Sequence, residues 1–365
     1  MDVKYVDLGA QWSDIRERAL PAIDAVLESG MYLEHPVVAE LESRMAAFLG
    51  LKHGISLNSG TDALLMSLVA LGIKRGDEII TVPNSYIASV AVIEHVGATT
   101  VFVDVGDDHL IDVERIESAI TGRTRAIMPV HLEGKMANMP RIKEIADKHG
   151  LLVIEDAAQS FGSHLNGKMP GTLSDVACFS MHPLKNLNAA GDGGFVATNS
   201  RSIAERLRAL RNHGQTSRNV SNEFGFVSRL DSIQAAILNI KLDDLGSTIA
   251  RRRETANTYN QGLQDLALKT PVVNSEVFHS YHLYVIEIDN RDLIQSKLAE
   301  VGIETKIHYP TLICDQIAFR KKYPDEIKGI DKARNQCSRI LSLPIHQNLT
   351  SEQIEKVVFT LRSLV

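Results

Sequence analysis

Residues 151–162 read LLVIEDAAQSFG. Four apolar residues lead into Glu155 and Asp156, and a small polar turn closing on Gly162 follows. A short apolar run bounded by a turn is the pattern of a strand buried on both faces, with its carboxylates at the strand's carboxyl end. Back along the chain, four more runs look alike: HGISL (53–57), EIITV (78–82), TVFVDV (100–105) and AIMPV (126–130). Between them lie helix-like stretches such as 61–71 and 140–149, with apolar residues at helical spacing and a glycine near the end. Strands alternating with helices predict crossover units and a mostly parallel sheet covered on both sides. Beyond residue 162, ACFS (177–180) and GFVAT (194–198) are joined by a Gly-rich loop too short for a helical crossover, so this pair is expected to be antiparallel. The expectation is an α/β fold with a mixed, mostly parallel seven-stranded sheet flanked by helices.

The pattern changes after about residue 230. Residues 232–266 read as long helices without strands between them. YHLYVIEI (281–288), an amphipathic helix over 291–301, TKIHYP (305–310) and a closing helix near 351–361 follow. This predicts a large domain over 1–240 and a smaller C-terminal α+β domain over 241–365, in keeping with 365 residues being more than one core usually holds. With 44% hydrophobic and 23% charged residues the composition is that of a soluble globular protein. A net charge of −6 argues against general nucleic-acid or anionic-membrane binding. Cys178, Cys314 and Cys337 are too few and too scattered for a disulfide framework, and no metal-ligand spacing occurs. MDVKYVDLGAQW lacks the apolar core of a signal peptide, and no run approaches the ~20 apolar residues of a membrane span. A cytoplasmic enzyme is expected.

Its chemistry is sought first at Asp156, because ligands of open α/β sheets bind at the carboxyl ends of strands. A buried carboxylate there calls for a cation, although Asp156 would also serve as a helix N-cap for Ala157 onward. Lys185 stands 29 residues downstream, in SMHPLKNLNAAGDGG (180–194). Most lone lysines are surface residues, but a desolvated lysine has a lowered pKa and can form a Schiff base. An acid for a pyridinium nitrogen and a lysine for an aldehyde are what pyridoxal 5'-phosphate requires. Its phosphate would then sit at NSGTDAL (58–64), where Gly60 and Thr61 open a helix after a strand. Ser180 adds a hydroxyl, and Tyr86 in PNSYIAS (83–89) is placed to stack on the ring.

NSGTDAL, the Tyr86 segment, VIEDAAQSFG (153–162), SMHPLKNLNAAGDGG, RNHG (211–214), SRLDSIQAA (228–236) and IHYP (307–310) stand in the order and spacing of the DegT/StrS family. The chain resembles that family from VDLGAQW (6–12) to LSLPIH (341–346). The resemblance implies the aspartate-aminotransferase fold (fold type I) and a sugar aminotransferase dependent on pyridoxal 5'-phosphate. It implies Lys185 as the cofactor's lysine, Asp156 as partner of the ring nitrogen, and Gln159 near the phenolic oxygen. Gly60, Thr61 and Ser180 match the phosphate cradle. Arg229, His308 and Tyr309 match nucleotide-sugar contacts, some of them reaching across a homodimer with shared active sites. There are departures. Val227 stands where the family usually has an asparagine that reaches the partner's phosphate, so that Ser228 or Asn222 substitutes or the contact is missing. HLEG (131–134) replaces the frequent HLYG, and Gly191-Asp192-Gly193-Gly194 the usual Gly-Glu-Gly-Gly.

The expected reaction moves an amino group from L-glutamate to a nucleotide-linked keto-sugar. A 3-keto sugar is favoured over a 4-keto one by the RNHGQ stretch (211–215) and the GDGG turn. His182, with Asn186 and Asn188, either presents the ketone or merely orders the lysine loop. A 4-keto or cyclitol aminotransferase is the alternative. A dehydratase of the family would carry histidine in place of Lys185, and a non-catalytic regulator would have lost Lys185 or Asp156.

Overall fold

The computed structural model describes residues 2–271, 273 and 275–365. Two helices precede the first strand, beyond those the apolar spacing singles out. In α1 (Leu8–Ser29) the Asp7 carboxylate accepts from the Ala10 N–H at 3.1 Å, and Gly30 ends the helix at φ 70°, a left-handed conformation open to glycine. α2 (Pro36–Leu49) starts on proline, where the missing N–H is not needed. Then β1 (His53–Leu57), α3 (Gly60–Ala70), β2 (Glu78–Thr81), α4 (Ala88–His95), β3 (Thr99–Phe102), β4 (Thr124–Ile127), α5 (Met139–His149) and β5 (Leu152–Asp156) follow, alternating as expected except between β3 and β4, where only two short 3-10 turns intervene. The short β6 (His164–Leu165) leads to β7 (Val176–Ser180) and β8 (Gly194–Thr198).

Seven strands form one sheet in the order β1-β8-β7-β5-β4-β2-β3. Neighbours from β3 through β7 pair in parallel, and β8 runs antiparallel to both β7 and β1. The mixed sheet is the one expected, including its antiparallel pair. Successive residues turn to opposite faces: Ile80, Ile127 and Val153 join one buried cluster, Ile79, Ala126 and Ile154 another. Two covered faces explain why these runs are continuously apolar rather than alternating. The run at 100–105 stops being a strand at Phe102 because Asp104 is used elsewhere. Its carboxylate accepts from the backbone of Lys332 and Ala333 at 3.1 and 2.9 Å.

α6 (Arg201–Leu210) and a small hairpin, β9 (Gln215–Ser217) with β10 (Val220–Ser221), lead into α7 (Ser232–Asp243) and α8 (Leu245–Leu263). β11 (Val277–Phe278), β12 (Tyr284–Glu287), α9 (Arg291–Glu300), α10 (Ile317–Lys322), α11 (Asp331–Arg339), β13 (Ile340–Leu343) and α12 (Ser351–Leu364) complete the chain. β12 pairs antiparallel with β13, and their residues pack with Tyr259, Leu298 and Leu361 as a separate cluster. Val3 joins that cluster by pairing with Ile303. Leu312, Phe319 and Ala333 pack instead on the large sheet, where Asp104 caps α11. Among the described residues, no helix is long and apolar enough to cross a membrane.

Candidate active site

The carboxyl ends of β1, β5 and β7 converge with the start of β8. Gly194 pairs with both Leu57 and Ser180, and Asp156 pairs with Cys178 of β7, which draws these junctions together. A Cβ on Gly194 would stand 2.0 Å from the Ser59 carbonyl oxygen, and one on Gly60 2.6 Å from Ser180 Cβ, so glycine is required at both positions. Ser59 caps α3 by accepting from the Asp62 N–H at 3.1 Å, and its carbonyl accepts from Ala63. The N–H groups of Gly60 and Thr61 have no partner among the described residues and stand at the positive end of the helix dipole. This junction and Ser180 border one cavity of about 450 Å³.

Asp156 lines that cavity at 4% exposure. No helix follows it, so the N-cap alternative does not apply: its Oδ1 accepts from the Ala158 N–H at 3.2 Å within a turn. Ser89 Oγ donates to Oδ2 at 2.7 Å. Burial raises the Asp156 pKa, while the Ser89 bond, the Ala158 bond and the Lys185 charge oppose the rise. Lys185 stands across the cavity on the loop from β7 to β8, its N–H bonded to the His182 carbonyl at 2.8 Å. It keeps some surface open to the cavity, yet lies deep enough that desolvation lowers its pKa to about 8, against the pull of Asp156. His282 Nε2 lies 3.5 Å from its Nζ.

Gln159 bridges two parts of the site. Its Oε1 accepts from the Glu133 N–H at 2.8 Å, and its Nε2 donates to Tyr309 OH at 3.2 Å. Tyr86, 57% exposed, tilts over Tyr309 at 5.6 Å between ring centroids. His308 and His182 line the same cavity, and His308 Nδ1 contacts Ser342 Oγ at 2.9 Å. Arg229 does not join them. It lines a separate cavity of about 120 Å³ with Arg208 and Arg211 and donates to Asn212 Oδ1 at 3.3 Å. Of the two residues weighed against Val227, Ser228 is buried on Asn58, accepting from its N–H and donating to its Oδ1, whereas Asn222 is exposed. Asn186 donates to the Ser280 carbonyl, and Asn188 bonds Gln11, Pro183 and Lys241, so these two order the lysine loop. Ser89, His282 and Arg252 also line the cavity. Ser89 closes the quoted PNSYIAS segment, but the other two carry no local signal.

These residues suit pyridoxal phosphate on their own geometry: a glycine-lined helix start for a phosphate, a buried carboxylate, and a lysine of lowered pKa facing it. A family model described as the DegT/DnrJ/EryC1/StrS aminotransferase family matches residues 13–362. The chain is 40% identical to dTDP-3-amino-3,4,6-trideoxy-alpha-D-glucose transaminase of Streptomyces venezuelae, over 99% of this chain and 95% of that protein. It is 38% identical to UDP-2-acetamido-2-deoxy-3-oxo-D-glucuronate aminotransferase of Pseudomonas aeruginosa, over 97% and 98%. Among solved structures, S. venezuelae DesV in complex with a ketimine intermediate superposes with a TM-score of 0.97 at 40% identity, over 99% of this chain and 98% of that one. NtdA from Bacillus subtilis with bound cofactor PMP gives 0.92 at 29% identity, over 99% and 85%.

Proposed function

Because the chain belongs to the DegT/DnrJ/EryC1/StrS aminotransferase family, we propose that it transfers an amino group from L-glutamate to a keto-sugar carried on a nucleoside diphosphate, at a C3 ketone. It is an aminotransferase, and its cofactor is pyridoxal 5'-phosphate. The observation that carries the reading is the meeting of Lys185, Asp156 and the Gly60–Ser180 cradle in one cavity. The names of the two relatives above, a 3-amino sugar transaminase and a 3-oxo sugar aminotransferase, support C3.

The N–H groups of Gly60 and Thr61 with the Ser180 hydroxyl would hold the phosphate, Lys185 the aldehyde carbon, Asp156 the ring nitrogen, and Tyr86 a ring face. When bound, the cofactor withdraws electrons from the donor's Cα. Lys185 would take the proton from the donor's Cα and deliver it to the cofactor's aldehyde carbon, and the reverse transfer would serve the keto-sugar. A pKa of about 8 leaves roughly a tenth of it as free amine at pH 7, far more than an ordinary lysine. Ser89 and the Ala158 N–H fix Asp156 and favour its charged form against burial. Gln159 positions Tyr309 over the site, and His308 and His182 border the space left for the sugar. Arg229, apart from this cavity and beside exposed Val227 and Phe224, supports a homodimer in which it serves the second copy's site. This reading divides the chain into domains over 1–240 and 241–365, with Leu312, Phe319 and Ala333 of the second packing back on the large sheet.

The test is a panel of matched 3-keto and 4-keto nucleotide-sugars with L-glutamate, with products resolved by mass and NMR. Preference for the 3-keto compound is expected. A higher specificity constant for the 4-keto compound overturns C3 and leaves the aminotransferase standing.

A further inference from the structure

Arg252 on α8 lines the same cavity at 2% exposure. Its Nη1 donates to the carbonyls of Tyr281, His282 and Ile345 at 3.1, 3.4 and 2.8 Å, and its Nε is buried without a partner among the described residues. Among the described residues, Tyr5, His282 and His346 are titratable groups that feel its charge. Burial raises the Tyr5 phenol and lowers both imidazoles, so none of them supplies a negative charge near neutral pH. A guanidinium this deep, bonded only to carbonyls, is strongly unfavourable until an anion completes it.

Position selects the anion. Arg252 grips the carbonyl of His282, whose Nε2 is 3.5 Å from Lys185 Nζ. His282 therefore links the cation to the exchanging amine, and both line the one cavity. In an amino acid the carboxylate is two bonds from the nitrogen to be transferred. In a nucleotide-linked 3-keto sugar, ring carbons and the glycosidic oxygen separate the diphosphate from the reacting carbon. We propose that Arg252 forms the subsite for the α-carboxylate of the amino-acid donor, an assignment that rests on the aminotransferase reading. Arginine suits it, because its planar fork meets a carboxylate with two parallel hydrogen bonds.

The probe is α-methyl-L-glutamate, which has no Cα proton to lose and so reports binding without turnover. Its dissociation constant is measured by calorimetry on the cofactor-loaded native protein, Arg252→Met and Arg252→Lys, alongside that of a nucleoside diphosphate. Loss of one charge-assisted contact should weaken the donor analogue about 10- to 100-fold in Arg252→Met, and less in Arg252→Lys, with diphosphate binding unchanged. An unchanged donor constant overturns the subsite and leaves Arg252 as a clip on three carbonyls. Weakened diphosphate binding with an intact donor constant gives the cation to the nucleotide and overturns it equally. Should Arg252→Met fail to fold, Arg252→Lys is compared with the native protein on L-glutamate and 4-aminobutyrate, which differ only in the α-carboxylate. The subsite requires that preference to shrink several-fold, and an unaltered preference refutes it. A native protein that neither binds the analogue nor reacts with L-glutamate overturns L-glutamate as the amino donor, and the subsite falls with it.

Discussion

Raising the pH through 9 should weaken a buried join between the loop at 106–110, the HLEG turn and β12. His109 is 8% exposed, with Nδ1 2.6 Å from Glu133 Oε1 and Nε2 3.3 Å from Glu287 Oε1. Burial works against a charged imidazole here, and so does Lys135, but the two carboxylates prevail and lift its pKa from 6.5 to about 9. A ring facing an acceptor at each nitrogen needs both N–H groups, which only the imidazolium has. The rise corresponds to about 3 kcal/mol of preference for the charged form in the folded protein. Burial alone would raise Glu133, yet Lys135 and His109 hold it well below the usual carboxylate range; the pair's energy is counted once, on the histidine. Because the folded pKa lies above the unfolded one, the contribution is complete below about pH 6.5 and is lost as the pH climbs through about 9. Glutamine at this position does not titrate. Urea unfolding of the native protein and His109→Gln at pH 6, 8 and 10 should therefore show their stability difference shrinking by about 3 kcal/mol across the series. A difference that stays constant within about 1 kcal/mol would refute an imidazolium held between two carboxylates. The join also reaches the cavity, since the Glu133 N–H holds Gln159.

Lys185→Ala should remove the visible absorption band of the loaded protein and abolish amino transfer from L-glutamate, while fluorescence titration still detects cofactor held by the Gly60 cradle; transfer at a normal rate would disprove the lysine's role. Gly60→Ala drives a Cβ to 2.6 Å from Ser180 Cβ, so cofactor affinity should fall roughly ten-fold or more with a change in unfolding free energy of only about 1–3 kcal/mol. Unaltered cofactor affinity in that variant would argue against the cradle. Asp156→Asn should slow proton transfer at Cα far more than it lowers Tm, and near-normal turnover would count against a charge-holding role. Mixing Lys185→Ala with Arg229→Ala protein should restore activity through hybrid dimers; no recovery after verified subunit exchange would return Arg229 to its own chain's site.

The sheet could be read directly because each strand is a local event. In EIIT every residue is buried, and in LVIED every residue after Leu152, whichever face it takes, so the run itself carries the signal. Lys185 and Asp156 were legible for a related reason: an ionisable group at the end of a buried strand, or in a glycine-rich loop beside one, is costly without a chemical use. The helices at 8–29 and 36–49 were less so, since α1 is amphipathic and its buried face, Ile15 and Ala19, makes sense only against Ile237 of α7.

Other features belong to no segment of the chain. His109 meets Glu133 24 positions away and Glu287 178 positions away, Ser89 reaches Asp156 across 67, and Lys185 meets His282 across 97. Arg252 falls in an Arg-rich run that looks like any solvated helix face, and only packing shows it buried, gripping three carbonyls and without a carboxylate among the described residues. Arg229 shows the converse. It fits its family motif, and only the folded chain shows that it stands apart from that chain's own cavity. Hydrophobic periodicity and backbone chemistry act within a few residues, so the order of residues is enough to specify strands, caps and a phosphate-sized helix start. The charge environment of a side chain depends on whatever the fold brings within about 4 Å of it, and that neighbourhood is assembled only when distant segments close on one another.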